Sequence, residues 1–290
     1  MPIRSEDAIV SPSTLYVVAT PIGNLSDLTP RAREILGAVD LIAAEDTRHT
    51  RQLLRAFGLD TPTIAFHEHN EAEKTIEVLG ELAKGKSVAL VSDAGTPLIS
   101  DPGFSLVAAA RRAGYAAIAV PGACAAIAAL SVSGLPTDRF AFEGFLPAKA
   151  AARRERLAEL ANEPRTLVFY EAPHRLVETL EDMARELGAD REASISREIT
   201  KHFETHYAGT LGELAQRAAA DADMQRGELV IVVRGARTEN QRGSIDTERL
   251  LRALLEEVSP AQAAKIAARV TGEKRSELYA AAVAMAGKGR

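Results

Sequence analysis

The 290-residue chain holds a single cysteine, Cys124, and no long apolar run. One thiol cannot close an internal disulfide, and a thiolate zinc cluster would lack its second ligand. Within the Ala-rich run PGACAAIAAL, Cys124 reads as a small hydrophobe and not as a nucleophile. No uninterrupted apolar stretch reaches the roughly 20 residues that cross a bilayer. The opening MPIRSEDAIVSPST carries charges where a signal peptide needs an apolar core. A cytoplasmic protein with no membrane partner is the expectation. Neither G-x-G-x-x-G nor G-x-S-x-G occurs, so a dinucleotide fingerprint and a nucleophile elbow are both without support.

Excess positive charge is also missing. The net charge of −5 argues against a general nucleic-acid coat, whose affinity comes from neutralised phosphates. Its distribution is uneven: residues 241–290 carry nine Lys+Arg and six Asp+Glu, or +3, which leaves −8 on the other 240. Further basic groups lie at Arg48, Arg51 and Arg55, and at Lys149, Arg153, Arg154 and Arg156. Runs of this kind serve as solvated helix faces or as RNA contacts.

What is present is an ordinary globular composition, 46% hydrophobic and 26% charged, of a size for two or three domains. Short apolar runs alternate with helical patterns: LYVVAT, TPRAREILGAVDLIAAED, TIAF, EAEKTIEVLGELAKG, SVALVSD, FSLVAAARRAG and AAIAVPG. Such alternation predicts βαβ units and a mostly parallel sheet. A second series, FAFEGFLP to GELVIVVRG, predicts a second α/β layer after a boundary near SVSGLPTD. The expected parts are a flexible N-terminus (1–13), an N-terminal α/β domain (14–134), a C-terminal α/β domain (135–236), a linker (237–245) and a helical domain (246–290). Past the polar linker ARTENQRGSID come two purely helical segments, with Ala268-x3-Gly272 and Leu278 at helix-turn-helix spacing.

Two motif matches fail on context. GELAKGKS fits the phosphate-loop spacing, but a helix precedes it and a strand follows, the reverse of what presents a helix N-terminus to phosphates. His67 with His69, and His202 with His206, lack a metal-binding frame, and no metal is expected.

Five polar loops each follow a predicted strand: TPIGNLSD, EDTRHT, SDAGTPLISDPG, PGACAA and EAPHR. In open α/β sheets ligands bind beyond the carboxyl ends of the strands, so these loops converge on one site. In the third, Gly95 and Gly103 admit close backbone approach, Pro97 and Pro102 stiffen the turn, and Asp93 and Asp101 can accept from ribose hydroxyls. The competing role for Asp101 is to cap the helix FSLVAAARR.

LYVVATPIGNLSDLTPRA, AEDTRHTRQLL, LVSDAGTPLISDPG, VPGACAAIAALSVSGLP, FEGFLPAK, YEAPHRL, SREITKHFE and GELVIVVRG, in this order, resemble the ribosomal RNA small subunit methyltransferase I family of bacteria. The resemblance covers nearly all of residues 14 to 236. It implies the tetrapyrrole-methylase superfamily: two α/β domains with S-adenosyl-L-methionine (AdoMet) in the cleft between them, plus the small helical domain. It also implies methylation of the ribose 2′-oxygen of a cytidine in the decoding region of small-subunit rRNA, by a homodimer. By motif position Pro21, Ala94, Gly95, Thr96, Ile99, Cys124, Ala125, Glu171 and Leu229, with Asp93, are the implied cofactor residues. Tetrapyrrole methylases carry Gly-Asp-Pro where this chain has Gly95-Thr96-Pro97, which argues against a corrinoid or porphyrin substrate.

A ribose hydroxyl has to lose a proton to accept a methyl group, which calls for a base or for a cation beside the nascent alkoxide. Candidates are Glu45 and Asp46 in EDTR, Lys149 in FLPAK, and Arg197, Glu198 and Lys201 in SREITK. Candidate RNA contacts are Arg48, Arg51, Arg153, Arg154, Lys265, Arg269, Lys274 and Arg275, toward naked rRNA or the assembled small subunit. The alternatives are a small-molecule methylase of the same fold and a non-catalytic RNA-binding protein.

Overall fold

The computed structural model describes residues 9–236 and 247–286. It divides into two compact units, Met1–Ala236 and Arg237–Arg290. The linker expected at 237–245 lies outside the described residues, as do residues 1–8. From Ile9 onward the N-terminal segment is tied to the body: the Ser11 N–H donates to the Tyr16 hydroxyl at 2.8 Å and the Ser13 N–H to Gly85 O at 3.2 Å.

The first half of the larger unit runs β1 (Thr14–Val18), α1 (Pro30–Ala38), β2 (Leu41–Ala44), α2 (Thr47–Ala56), β3 (Thr63–Ala65), α3 (Glu71–Ala83), β4 (Val88–Val91), α4 (Phe104–Arg112), β5 (Ala116–Val120) and α5 (Ala125–Val132). Its sheet has the order β3-β2-β4-β1-β5, parallel throughout. VALV of β4 is buried at every residue, as a central parallel strand covered on both faces must be. Local chemistry sets the helix starts. Thr29 accepts from the Ala32 N–H at 3.1 Å and Pro30 occupies the first turn of α1. Gly80 lies inside α3 and Ser87 immediately before β4, the reversed context that removes the phosphate-loop match.

Asp101 does not cap α4. The N-cap is Gly103, and Glu71 at the start of α3 does the capping: its Oε1 accepts from the Gly103 and Ser105 N–H groups at 3.1 and 3.2 Å and from the Ser105 hydroxyl. A negative charge there also suits the positive end of the helix dipole.

The second half runs β6 (Phe140–Phe145), α6 (Ala150–Glu159), β7 (Thr166–Glu171), α7 (Leu176–Leu187), β8 (Glu192–Arg197), β9 (Thr205–Thr210), α8 (Leu211–Ala220) and β10 (Leu229–Val233). The sheet order is β6-β7-β10-β8-β9, and only β6 with β7 is parallel. This layer is therefore mixed, not mostly parallel, because β8 and β9 form a hairpin. Helices α6 to α8 cover one face through Leu157, Leu180 and Leu214. The other face receives α5, whose Ala126, Ala129 and Leu130 pack on Val168, Val230 and Val232. Helix α5 follows the first sheet in sequence but rests on the second.

The described residues of the smaller unit form three helices, not two: α9 (Thr247–Glu257), α10 (Pro260–Thr271) and α11 (Arg275–Ala286). Gly272 ends α10 in the left-handed conformation at φ 77°, and Leu251, Ala263, Ala267 and Leu278 form the core. Among the described residues no helix is long and apolar enough to cross a membrane.

Candidate functional site

A cavity of about 310 Å³ opens where the carboxyl ends of β1, β2 and β4 meet those of β7 and the start of β10. Its first wall is the loop after β4, from Asp93 to Asp101. The loop is fastened on both sides. Thr20 and Gly95 exchange backbone hydrogen bonds of 2.9 and 3.1 Å, and the Thr96 hydroxyl donates to Ala123 O at 2.9 Å. Gly95 sits at φ +83°, and a Cβ on it would stand 3.1 Å from Ile22 Cγ2, so the turn requires glycine.

The opposite wall comes from the second sheet, with Phe145, Tyr170, Leu229 and Val230. A bulge between Phe142 and Gly144 shifts the register of β6 just before Phe145. The Tyr170 hydroxyl accepts the Ala126 N–H at 3.3 Å, which satisfies a donor of the first turn of α5. Burial raises the Tyr170 phenol above its ordinary value, with Cys124 and Asp101 adding to the effect.

Five carboxylates border the cavity, and three of them, Glu45, Asp93 and Asp101, follow β2 and β4. Glu45 and Asp93 are threaded together by main chain, since the Asp93 N–H donates to Glu45 Oε2 at 3.3 Å and the Asp46 N–H to Asp93 Oδ1 at 2.9 Å. Burial pushes Glu45 up, against the pull of the Asp93 N–H, and the negative charge of Asp93 adds to the rise. Asp101 is pushed up to about 6 by burial and by the charges of Glu45 and Asp93, with the Ser92 hydroxyl opposing.

Most residues expected to hold a cofactor line this cavity: Asp93, Ala94, Gly95, Thr96 and Ile99 on one side, Cys124 and Ala125 at α5, and Glu171 and Leu229 opposite. Two stand apart from the rest. Pro21 is not in the lining; its neighbour Ile22 is. Glu171 has its carboxylate engaged, accepting from Thr179 Oγ1 at 2.6 Å and the Ala172 N–H at 2.7 Å, with Arg175 at 3.3 Å. Its side chain braces the loop after β7.

Of the catalytic candidates only Glu45 lines the cavity. Asp46 caps α2, accepting the Arg48 N–H at 2.8 Å, and the Arg48 guanidinium holds it down at about 2. Lys149 is exposed at the N-cap of α6. Arg197 spends its donors on Arg226 O at 2.9 Å and Phe203 O at 3.0 Å. Lys201 joins Glu198 at 2.9 Å and Glu228 at 3.0 Å. Burial alone would depress the Lys201 ammonium, but these carboxylates outweigh it and raise it.

The lining residues that sequence reasoning missed include Tyr170, Phe145 and Ile199. Period-two alternation in LVFYE held a signal for the first, since it puts Tyr170 on the face of Val168, toward α5.

The basic residues separate into different classes. Arg153 is no RNA contact: it is 2% exposed, with Nε 2.7 Å from Asp182 and Nη2 3.4 Å from Glu178. Packing of α6 on α7 turns it inward. Its neighbour Arg154 is half-buried, with Asp182 at 3.9 Å. Arg48 is exposed but paired with Asp46, and exposed Arg51 donates to Thr63 Oγ1 at 3.1 Å. Lys265, Arg269 and Arg275 are exposed on the helical unit, as is Lys274, 3.7 Å from Glu277. Among the described residues no group of three or more His, Cys, Asp or Glu is placed to hold a metal ion.

Residues 14–215 match the tetrapyrrole (corrin/porphyrin) methylases, and residues 242–286 match the RsmI C-terminal HTH domain. The ribosomal RNA small subunit methyltransferase I of Xylella fastidiosa is 55% identical over 269 residues, covering 93% of this chain and 98% of that protein. The chain belongs to the ribosomal RNA small subunit methyltransferase I family. The Pseudomonas aeruginosa member is 52% identical over 281 residues, 96% of this chain and all of its own length. The Escherichia coli O157:H7 member is 48% identical over 276 residues, 95% and 96% of the two chains.

Solved structures resemble the fold. The methyltransferase CobJ superposes with a TM-score of 0.58 at 20% identity, over 77% of this chain and 94% of its own. The uroporphyrin-III C-methyl transferase of Thermus thermophilus, complexed with S-adenyl homocysteine, gives 0.52 at 20% identity over 76% and 96%. At such identities the likeness establishes the tetrapyrrole-methylase architecture.

Proposed function

We propose that this member of the methyltransferase I family transfers a methyl group from AdoMet to the ribose 2′-oxygen of a cytidine in the decoding region of small-subunit rRNA. The observation that carries the reading is the cavity itself, walled by the strand-end loops of both sheets. Its chemistry fits AdoMet: Ile22, Ile99, Leu229 and Val230 offer apolar surface to a purine, and Asp93 and Asp101 offer acceptors to ribose hydroxyls. AdoMet, when bound, supplies a sulfonium methyl whose transfer disperses positive charge. The protein's task is to align donor and acceptor and keep water out, an arrangement worth about 7–11 kcal/mol in well-oriented pairs.

In this reading the fastened loop from Asp93 to Thr96 sets the cofactor's place, and the exposed cations Lys149, Lys265, Arg269, Lys274 and Arg275, with half-buried Arg154, meet rRNA phosphates. Phosphate contacts position RNA without reading its sequence. The protein acts as a homodimer in the cytoplasm, on naked rRNA or on the assembled small subunit.

Tritiated-methyl transfer from AdoMet into small subunits from a strain lacking the gene tests the proposal, with the modified nucleotide located in the RNA. Label at a cytidine 2′-oxygen is the expected result. Label in a small-molecule tetrapyrrole, or AdoMet binding with no transfer to RNA, would overturn it. Calorimetry should show heat from AdoMet and none from ATP.

A further inference from the structure

The chain has few aromatic residues, 4% with no tryptophan, and it places one of them at the mouth of the cavity. Among the described residues Phe145 is the only large hydrophobic side chain that is both exposed, at 56%, and part of the cavity lining. Leu229 and Val230, which offer apolar surface to the cofactor's purine, are buried. Single exposed apolar side chains are ordinary and carry no argument by themselves. What sets Phe145 apart is how the backbone brings it there.

Strand alternation would point Phe145 the other way. Phe142 pairs with Val168 on the face that receives α5. In an unbroken strand residue 144 would share that face, and residue 145 would join Ala141 on the face under α6 to α8. The bulge between Phe142 and Gly144 adds one residue and reverses this, so that Phe145 pairs with Tyr170 and shares its face. The two rings meet edge to face with 5.6 Å between centroids, and Tyr170 meets Phe142 in the same way at 4.9 Å.

The bulge is held in place from several sides. Glu143, the extra residue, pairs with Arg156 of α6 at 2.6 Å. Gly144 takes φ +65°, and a Cβ there would stand 3.3 Å from Ser100 Oγ, so the bulge depends on glycine. Past the strand, Arg175 Nη2 donates to Leu146 O at 2.8 Å and to Pro147 O at 3.2 Å. The backbone of Phe145 is thereby fixed on both sides while its ring stays open.

A ribose oxygen inside a stacked RNA does not reach a methyl donor held in a cleft, so the target nucleotide has to leave its stack. Proteins hold splayed-out RNA bases by presenting an aromatic side chain to the π face. Charge places the rest of the nucleotide close by. Lys149 is exposed four residues beyond Phe145, at the N-cap of α6, where the helix N-terminus adds to the attraction for a phosphate.

We infer that Phe145 is the stacking platform for the base of the target nucleotide, holding it at the rim so that its ribose faces into the cavity. The inference rests on the RNA methyltransferase reading above. No bond forms or breaks at Phe145; its contribution is binding and orientation. Stacking tolerates every base, so Phe145 places the nucleotide and the choice of cytidine falls to other contacts.

The test replaces Phe145 in the full-length enzyme by Ala, Leu, Tyr and Trp. Small-subunit affinity is measured with S-adenosylhomocysteine bound, so that no methyl group moves, and single-turnover methylation is measured with AdoMet. Phe145→Ala and Phe145→Leu should each weaken small-subunit affinity by about 5- to 150-fold, the range for loss of one base–aromatic stack. Phe145→Tyr and Phe145→Trp should keep most of it. In all four, AdoMet affinity by calorimetry should stay within a few-fold and the mass in sedimentation should be unchanged. The slope of log affinity against log salt should also hold, because no phosphate contact is removed. If the unaltered enzyme methylates small subunits and Phe145→Leu binds them as well as it does, the inference alone falls, and the ring is only an apolar wall. AdoMet affinity falling as far as small-subunit affinity would overturn it by making the ring a cofactor contact. A change in mass would overturn it by making the ring part of a subunit interface. No methylation by the unaltered enzyme would overturn the methyltransferase reading and this inference with it.

Discussion

The aliphatic stem of Lys201 lies across Gly23 so closely that a Cβ at position 23 would stand 2.4 Å from Lys201 Cγ. Gly23 belongs to the loop after β1 and Lys201 to the loop after β8, so this contact joins the two halves of the larger unit. Its ammonium meanwhile ties Glu198 to Glu228 at 2.9 and 3.0 Å. Gly23→Ala should therefore act as overpacking and cost about 1–3 kcal/mol in thermal or denaturant unfolding. Because the obstructing atoms are a flexible stem, Gly23→Ala with Lys201→Ala should recover part of that loss. Additive losses in the double variant would show that the backbone at φ 153°, and not the stem, sets the requirement.

Arg153 should behave as a core residue. With its guanidinium buried against Asp182 at 2.7 Å, Arg153→Ala leaves a buried carboxylate without its counter-charge. Breaking such a pair costs about 3–5 kcal/mol. Urea unfolding should show that loss, and small-subunit affinity measured where the variant is still folded should be unchanged. A loss of RNA affinity with full stability would restore it to the RNA surface.

The strand-end loops were legible because glycines, prolines and aspartates after an apolar run have few structural uses and many functional ones. Asp93 to Thr96, Ile99, Cys124 and Ala125 accordingly line the cavity. Long-range partners carried no such signal. The cap of α4 comes from Glu71, which lies 32 residues before the Gly103 it serves. Arg153 sits among AAARRERLAEL, where only the packing of α7 on α6 decides which arginine is inside. Strand β9 buries Tyr207 alone among THYAGT, too little alternation to announce an edge strand or the antiparallel hairpin it makes. AAIAALSV of α5 is small and apolar on nearly every side, so the sequence does not say which sheet it will meet.

Stability should depend on pH through Asp101 in a stated direction. Its folded value of about 6 exceeds the ordinary 3.8, so the folded state holds the proton more tightly than the unfolded chain. The stabilisation this gives is fully present below the unfolded value and is lost as pH rises through 6. Above that, ionised Asp101 is a net cost. Asp101→Asn keeps a neutral group of the same shape at every pH. It should be more stable than the unaltered protein at pH 7–8, by on the order of 1–2 kcal/mol after solvent screening, and the difference should shrink toward pH 4. Melting temperatures across that range decide it; a difference independent of pH would mean that Asp101 titrates normally.

The helical unit should contribute to RNA affinity and not to cofactor binding. Its side chains Lys265, Arg269, Lys274 and Arg275 are exposed around the turn at Gly272, on a segment of +3 beside a body of −8. The unit's own core, Leu251, Ala263, Ala264, Ala267, Leu278 and Ala282, includes none of the four. Changing all four to glutamate should therefore leave the helical signal in circular dichroism and the AdoMet affinity unchanged. Small-subunit affinity should fall. The fall has a signature that a general loss of fold would not produce, because each phosphate contact removed lowers the slope of log affinity against log salt by about one. A variant that binds weakly with the original slope has lost something other than phosphate contacts. If affinity and slope both hold, the helical unit does not engage the RNA, and the phosphate contacts fall to Lys149, Arg154 and Arg51 on the larger unit.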